Sequence, residues 1–335
     1  FMKKSLKAVA AVIAAIALTT ACSSGTTEEA TEGTTENTES TESTGDGTTY
    51  KIGVLQFTQH AALDKANEGF IAALDDSGIS YEVDQQNASN DQPTCQTIAE
   101  KLVNDGNDLI YAIATPAAQA VAGMTKDIPV IISAVTDPAE SGLLADNNAP
   151  GGNVTGTSDL TPVKEQIDLL KQLIPDAQTI GVLYCSAESN SAIQAEMARE
   201  ACEALGMEAV DYTVSNTNEI QTVVESMVGK VDAVYAPTDN TIANGMATVG
   251  MIASDNGLPV FAGDSGMVEA GGIATYAVDY YQLGYMAGEM AVDILVNGAD
   301  PAEIPVGYLS ADKCELAVNE DTAAKLGIDV SSLQQ

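Results

Sequence analysis

The sequence predicts an α/β protein built from two Rossmann-like, doubly wound parallel-sheet lobes. From Tyr50 onward, short β-branched runs alternate with stretches of helical apolar spacing, an alternation typical of parallel sheets covered by helices on both faces. The alternation occurs as two series, which open on nearly the same phrase, KIGVLQ at Lys51 and TIGVLY at Thr179. With 335 residues, of which 45% are apolar, the chain is long enough for two medium-sized domains.

The first series supplies four strands and three helices. The strands are KIGVLQ, YEVDQ, LIYAIA and PVIISA, and the last ends near Ala134. The first helix covers ALDKANEGFIAALDDSG and ends at Gly78, because glycine commonly terminates helices. The second helix is expected from about Asp91 to Asn104, and the third begins at Thr115.

The second series follows the glycine-rich stretch PGGNVTG. Its strands are TIGVLY, EAVDYT, AVYA and PVFA, and its helices are expected at Pro162 to Ile174, Ser191 to Leu205, Glu219 to Met227 and from about Asn240. A later helix, Tyr280 to Val296, and a short strand, PVGYL, are too short for a domain, so we expect them to return to the first lobe and then to the second. The predicted lobes are therefore residues 50–156 plus 279–306 and residues 157–278 plus 307–335.

Residues 1–22 are expected to be a lipoprotein signal peptide. Three lysines precede an apolar run from Ala8 to Leu18, which is shorter than the roughly 20 residues of a membrane-spanning helix. The run leads to Ala21-Cys22, which resembles a bacterial lipobox, where cleavage leaves Cys22 as the lipid-carrying first residue. The alternative is an ordinary secretory signal that contains a chance cysteine.

Residues 23–49 are expected to form a disordered tether between this anchor and the folded body. They hold seven acids, no base and no large apolar group, so they cannot bury surface. Without residues 1–22 the chain has 10 basic and 48 acidic side chains, a net charge of -38. Anionic lipid headgroups would repel such a protein, so we expect the lipid on Cys22 to be the membrane contact.

Composition excludes several classes of function. A net charge of -35 and a single arginine, Arg199, argue against nucleic acid as a partner. A single histidine, His60, removes most metal sites and Ser-His-Asp arrangements. The GxGxxG, GxxxxGK[ST] and GxSxG motifs are absent. We therefore expect no cofactor, no metal and no catalytic activity. The four remaining cysteines allow three full disulfide pairings, and the default expectation is unpaired core or surface residues: Cys95, Cys185, Cys202 and Cys314.

Small polar phrases recur where the predicted strands end, and open parallel sheets bind ligands at that edge. Any single Thr or Asp there could be only a helix cap, so the recurrence in both series is what indicates a binding cleft. The candidate ligand-binding residues are Phe57, Gln59, His60, Thr115, Ala117, Ser133, Thr136, Ser158, Asp159, Tyr184, Asp239, Asn240, Asp264 and Asp279.

The scarcity of arginine restricts the chemistry of this cleft, because bidentate arginine is the usual partner of a ligand carboxylate. A carboxylate would instead be held by hydroxyls and by the N–H groups of the helix that begins at Thr115. Asp159, Asp239 and Asp279 would suit an ammonium group. Flat apolar contact would come from aromatic side chains, although core packing is the favoured role of each one taken alone: Phe57, Tyr184, Tyr276, Tyr280 and Tyr281. This combination favours an amino acid as ligand.

The sequence resembles a known family over nearly all of the chain after Tyr50. The phrases that carry the resemblance are FTQHAALDKANEGFIAAL, IATPAAQA, PVIISAVTDP, NVTGTSDLTPV, APTDN and ATYAVDYYQLGYMAGE. With the lipoprotein start and the tether, they look like the ABC transporter substrate-binding lipoproteins associated with tryptophan and other aromatic amino acids.

The resemblance implies the type I periplasmic-binding-protein fold, with two lobes joined by three hinge crossings. It implies capture of a small ligand by lobe closure, and delivery to a membrane permease driven by a cytoplasmic ATPase. By similarity to the wider fold, Asp239 lies where sugar-binding relatives contact their ligand, and Asp159 and Asp279 flank the hinges. The alternatives are a ligand-sensing receptor of the same fold, or an importer component for a sugar, a nucleoside or another small solute.

Overall fold

The computed structural model describes residues 47–333. The predicted signal peptide, the lipidation site Cys22 and most of the predicted tether lie outside these residues. Within residues 47–333, no helix combines the length and the apolar character required to cross a membrane.

The first sheet has five parallel strands in the order β2-β1-β3-β4-β5. Buried β-branched runs form its centre, as the sequence predicts. Its strands are β1 Thr49–Gln56, β2 Ser80–Asn87, β3 Leu109–Ile113, β4 Val130–Val135 and β5 Val154–Ser158. The helices between them are α1 Ala61–Ser77, α2 Gln92–Asn104 and α3 Thr115–Met124.

The second sheet has four parallel strands in the order β7-β6-β8-β9. These strands are β6 Thr179–Cys185, β7 Glu208–Val214, β8 Ala233–Ala236 and β9 Val260–Ala262. Beside them lies an antiparallel pair that the sequence analysis did not predict, β10 Ala274–Ala277 and β11 Glu315–Val318. The helices are α4 Val163–Leu173, α5 Ser189–Ala204, α6 Ile220–Met227, α7 Asn240–Asp255, α8 Ser265–Glu269 and α10 Glu320–Leu326. The prediction of two parallel-sheet units is confirmed.

The last long helix, α9 (Tyr280–Asn297), returns to the first sheet and packs along α1. Glycines allow the two helices to approach closely. A Cβ atom on Gly284 would lie 1.9 Å from the carbonyl oxygen of Ala66, and one on Gly69 would lie 2.0 Å from that of Tyr281. Helix α9 therefore belongs to the first lobe, which we define as the five-stranded sheet and the helices packed on it. The second lobe is the four-stranded sheet, the β10–β11 pair and the helices packed on them.

Within the described residues 47–333, the chain passes between the two lobes three times, after β5, between β10 and α9, and before β11. The first passage comes later than the sequence boundary at residue 157, because β5 continues to Ser158 beside β4. The predicted strand PVGYL is wrong, since only Gly307 forms a bridge, with Thr157.

The four cysteines of the described residues are free thiols. Cys95, Cys185 and Cys202 are buried, and Cys314 is half-buried. Burial raises the pKa of Cys185 and of Cys202 to about 11, so both remain protonated at neutral pH. They act as small core residues, which is the default expectation from the sequence.

Candidate functional site

The carboxyl ends of the strands of the two lobes enclose a small cavity. Its volume is about 10 Å3, close to the minimum for one water molecule. Residues from both lobes line it: His60, Leu63, Ala134, Asp159, Asn190, Thr238, Asp239, Asn240, Asp264 and Tyr280. A larger depression of about 700 Å3 lies around Tyr308 and Cys314. Its lining comes from the start of the last long helix and from the segment before β11, and not from the carboxyl ends of the parallel strands, where this fold places ligands.

Three buried carboxyl groups face this cavity. Asp239 caps α7, because its Oδ1 accepts from the Ile242 N–H at 2.7 Å, and its Oδ2 accepts from the Cys185 N–H at 2.6 Å. Asp264 caps α8, accepting from the Met267 N–H at 2.9 Å. Asp159 follows β5 and accepts from the Tyr280 hydroxyl at 2.8 Å.

Burial raises the pKa of all three groups. The pKa of Asp159 rises to about 6, chiefly through loss of hydration. The pKa of Asp239 rises to about 8, through burial first and then through the nearby charge of Glu188. Burial also raises the pKa of Asp264, although the nearby His60 opposes that change. Among residues 47–333, no lysine or arginine lines the cavity, so the site favours a cationic group.

Glu188, which the sequence analysis did not select, completes the second-lobe side of the site. It is 1% exposed, and its carboxylate accepts hydrogen bonds from the Thr241 N–H at 2.9 Å and from the Asn240 side-chain amide at 2.6 Å. The carboxylate therefore occupies the anion position at the start of α7. Glu188 lies 52 residues before Asn240, so no local spacing marks the pair.

In the described part of the chain, the start of α3 on the first lobe has no acidic residue in its first turn and no side-chain cap. Thr115 is 1% exposed, and its Oγ1 has no hydrogen-bond partner in the described part of the chain. Ala114, the residue before the helix, makes no side-chain cap, and the first N–H groups of a helix have no partner within it. This helix start therefore remains available for an anion.

Side-chain hydrogen bonds join the two lobes across the cavity. The His60 Nε2 lies 3.2 Å from the Asn240 Oδ1, and the Gln194 Nε2 donates to the Thr136 Oγ1 at 3.1 Å. At the rim, the Gln92 Nε2 donates to the Ala187 carbonyl at 2.9 Å. The lobes are therefore in a closed arrangement.

The structure brings some of the candidate residues to the cavity and places others elsewhere. Those lining it are His60, Asp159, Asp239, Asn240 and Asp264. Thr136 reaches it indirectly, since its hydroxyl lies 3.4 Å from the Asp159 carboxylate. Thr115 and Ala117 are buried at the start of α3. Ser133 and Ser158 are buried too, and their hydroxyls bond Thr157 and the Thr136 carbonyl.

Four candidates point away from the cavity. Phe57 is part of the first-lobe core, and Gln59 is exposed in the loop after β1. Tyr184 packs with the helices of the second lobe and donates to Asp211 at 3.1 Å, on the same face of β6 as Val182. Asp279 is exposed and caps α9 through the Gln282 N–H at 3.0 Å. The selection also omitted Asn190 and Gln194, two buried amides near the start of α5.

Sequence comparison assigns the protein to a family. The profile of the ABC transporter substrate binding protein family matches residues 51–333. The chain belongs to this family. It is similar to a tyrosine-binding protein of Clostridioides difficile (strain R20291), with 44% identity over 279 residues that cover 82% of this chain and 80% of the relative. The members of this family are solute-binding proteins and not enzymes.

Two solved structures of relatives differ in how closely they match this fold. The ABC domain in complex with L-Trp from Streptococcus pneumonia has a TM-score of 0.83 at 41% identity, covering 86% of this chain and 98% of that one. The ligand-free, open structure of a substrate binding protein with adhesive properties from Clostridium difficile has a TM-score of 0.64 at 43% identity, covering 84% and 96%. At nearly equal identity, this substrate-binding protein matches the ligand complex better, in keeping with its closed lobes. The fold is of the type I periplasmic-binding-protein kind.

Proposed function

We propose that this protein captures an aromatic amino acid, tryptophan or tyrosine, for import by an ABC transporter. The observation that carries the proposal is the set of three buried acids facing one cavity between the lobes. The named ligands of the two relatives, tyrosine and L-Trp, support the side-chain class.

The charges around the cleft support one orientation of the ligand. The ammonium group would lie among Asp159, Asp239 and Asp264, because its charge compensates carboxylates that are otherwise costly to bury. The carboxylate would lie at the start of α3, where Thr115 offers an unpartnered hydroxyl and the helix offers free N–H groups. The α7 start is unsuitable for a ligand carboxylate because Glu188 already occupies it.

Capture requires the lobes to open, because a cavity of about 10 Å3 cannot contain an amino acid. We propose hinge motion about the three connecting passages. The first lobe would be 50–158 plus 279–307 and the second 159–278 plus 308–335, because β5 continues to Ser158 and Gly307 bridges Thr157. Ligand contacts made only when both lobes meet would then favour the closed state. The closed form would be recognised by a membrane permease that a cytoplasmic ATPase drives.

A ligand screen tests this proposal. The exported chain, which is the protein without residues 1–22, is screened with the twenty amino acids, sugars and nucleosides. We expect tryptophan or tyrosine to raise its melting temperature most. A ligand at 100 times its Kd adds about 2.7 kcal/mol to the free energy of unfolding, equivalent to roughly 5–10 °C for a domain of this size. Stabilisation by sugars or nucleosides and by no amino acid would refute the proposed ligand class.

We also propose export and lipid anchoring at the outer face of the cytoplasmic membrane through Cys22. The basic start, the short apolar run and Ala21-Cys22 support this location. Cells supplied with a labelled fatty acid should label the wild-type protein, and Cys22→Ala should abolish the label. Equal labelling of both proteins would exclude Cys22 as the acceptor.

A further inference from the structure

Asn190, near the start of α5, presents an unexplained buried polar atom at the cavity. The residue is 3% exposed and lines the cavity, yet its Oδ1 has no hydrogen-bond partner in the described part of the chain. Leaving a buried acceptor unpaired costs about 1–3 kcal/mol, so such an atom in a folded protein calls for a reason.

The surroundings of Asn190 fix the orientation of its amide. The Nδ2 lies 3.2 Å from the Thr238 carbonyl oxygen, 3.2 Å from the Ser191 hydroxyl and 3.5 Å from a carboxylate oxygen of Glu188. The carbonyl and the carboxylate only accept, so exchanging the two amide atoms would place oxygen against oxygen at two of these three contacts. The nitrogen must therefore face Thr238 and Glu188. The Oδ1 is the atom left for the cavity.

Nearby donors are already committed within the protein. The hydroxyls of Tyr280 and Thr136 both point to Asp159, at 2.8 and 3.4 Å. The His60 Nε2 faces the Asn240 Oδ1, whose own amide nitrogen donates to Glu188. The Asn190 oxygen and the three carboxyl groups are left to receive a ligand. The side chains that line this part of the cavity wall therefore accept hydrogen bonds and donate few.

We propose that Asn190 is a specificity-determining residue whose side-chain oxygen accepts a hydrogen bond from the ammonium group of the ligand. The inference rests on the proposed function and concerns the same cavity. A primary ammonium group carries three N–H donors and no acceptor, so it complements such a wall. A hydroxyl in its place brings one donor, together with lone pairs that face carboxyl oxygens.

Glu188 is the positioning residue for Asn190. Its carboxylate is held by the Thr241 N–H at 2.9 Å and the Thr241 hydroxyl at 2.8 Å, so it is fixed to α7. From there it lies beside the Asn190 amide nitrogen and holds that nitrogen away from the cavity. The Glu188 carboxylate thus accepts hydrogen bonds at the start of α7, and it also fixes which amide atom of Asn190 faces the cavity.

Calorimetric titration of the exported chain tests the role of Asn190. The probes are L-tryptophan and L-tyrosine, each beside its α-hydroxy acid, in which a hydroxyl replaces the ammonium group. We expect Asn190→Ala to weaken binding of the amino acid by about 10- to 100-fold, the range for a hydrogen bond to a charged group. The same variant should weaken binding of the hydroxy acid by less than about threefold.

Asn190→Asp serves as the conservative rescue. At about pH 6, a carboxyl buried beside Glu188 is expected to be protonated, so it can donate to the Thr238 carbonyl and present its other oxygen to the cavity. We expect this variant to bind the amino acid within about threefold of the wild type. Circular dichroism on each variant checks that it is folded.

The outcomes separate the two proposals. If wild-type protein binds no aromatic amino acid, the proposed function fails, and the role of Asn190 falls with it. If wild-type protein binds and Asn190→Ala changes the affinity by less than threefold, or weakens both ligands equally, the inference alone is overturned. If Asn190→Asp does not restore amino-acid binding, the inference about Asn190 is also overturned. This variant decides the question when the hydroxy acid binds too weakly to measure.

Discussion

Gly284→Val is expected to lower the free energy of unfolding by more than about 3 kcal/mol, because overpacking against backbone cannot be relieved by a rotamer change. Any Cβ atom at this position would lie 1.9 Å from the carbonyl oxygen of Ala66, so α9 would have to move away from α1. The buried apolar face of α9, which includes Leu283 and Ala287, would then separate from the first-lobe core. Urea denaturation measures the change directly.

Gly123→Val is the matched control for this substitution. Gly123 lies in α3, and a Cβ atom on it would meet no other atom within 4 Å, so valine should change stability by less than about 1 kcal/mol. A similar small effect at Gly284 would contradict the close packing of α1 and α9. It would also remove the reason for assigning α9, with Tyr280 at its start, to the first lobe.

Without ligand, the lobes are expected to be closed near pH 5 and open near pH 8. The pKa values of Asp159 and Asp239 in the closed protein are about 6 and about 8, above the ordinary value of about 4. Opening would hydrate these carboxyls and relieve the burial that raises their pKa, so the closed state binds more protons than the open state between about pH 4 and pH 8. This proton-linked contribution to the stability of the closed state is fully present below about pH 4 and is lost as the pH rises through the two closed-state pKa values.

The energies involved are large enough to shift the opening equilibrium. For Asp159 alone, a rise of roughly two pKa units corresponds to about 3 kcal/mol. Small-angle scattering across this pH range should show the radius of gyration increasing as the pH rises. Glu188 also acts on Asp239, and His60 acts on Asp264. The matched control is the double variant Asp159→Asn with Asp239→Asn, which removes the two titrating groups and should lose most of the dependence of the radius on pH. A radius independent of pH in the wild type would contradict the account.

The same charges explain how a ligand would close the protein at neutral pH. An ammonium group among the three acids compensates their ionised forms, so closure no longer requires them to be protonated. Binding should therefore release protons, in an amount that grows as the pH falls from 8 toward 6. Ligand contacts and proton release would then act on one equilibrium between open and closed lobes.

Much of the fold could be predicted from the sequence because the central strands are buried on both faces. LIYAI is a continuous apolar run and VIISAV is interrupted only by Ser133, and such runs indicate parallel sheets. Strand β5, VTGTS, was missed because its buried residues are small and polar. Gly156 has no room for a side chain there, since a Cβ atom would lie 2.0 Å from the Ile132 carbonyl.

The candidate site could be predicted only in part. Asp159, Asp239 and Asp264 lie at strand ends, which is the signal that located them. Asp279 also follows a strand, β10, but it is an exposed cap of α9, the helix that returns to the first lobe. Glu188 and Asn190 depend on contacts with α7 and Thr238, about 50 residues along the chain, and no local pattern records such contacts.

A crystal structure of the exported chain with L-tryptophan or L-tyrosine tests the central claim most directly. We predict the ligand nitrogen within about 3 Å of the Asp159, Asp239 or Asp264 carboxyls, and the ligand carboxylate at the start of α3 beside Thr115. A ligand bound outside the cleft, or one whose carboxylate faces the three acids, would contradict the account.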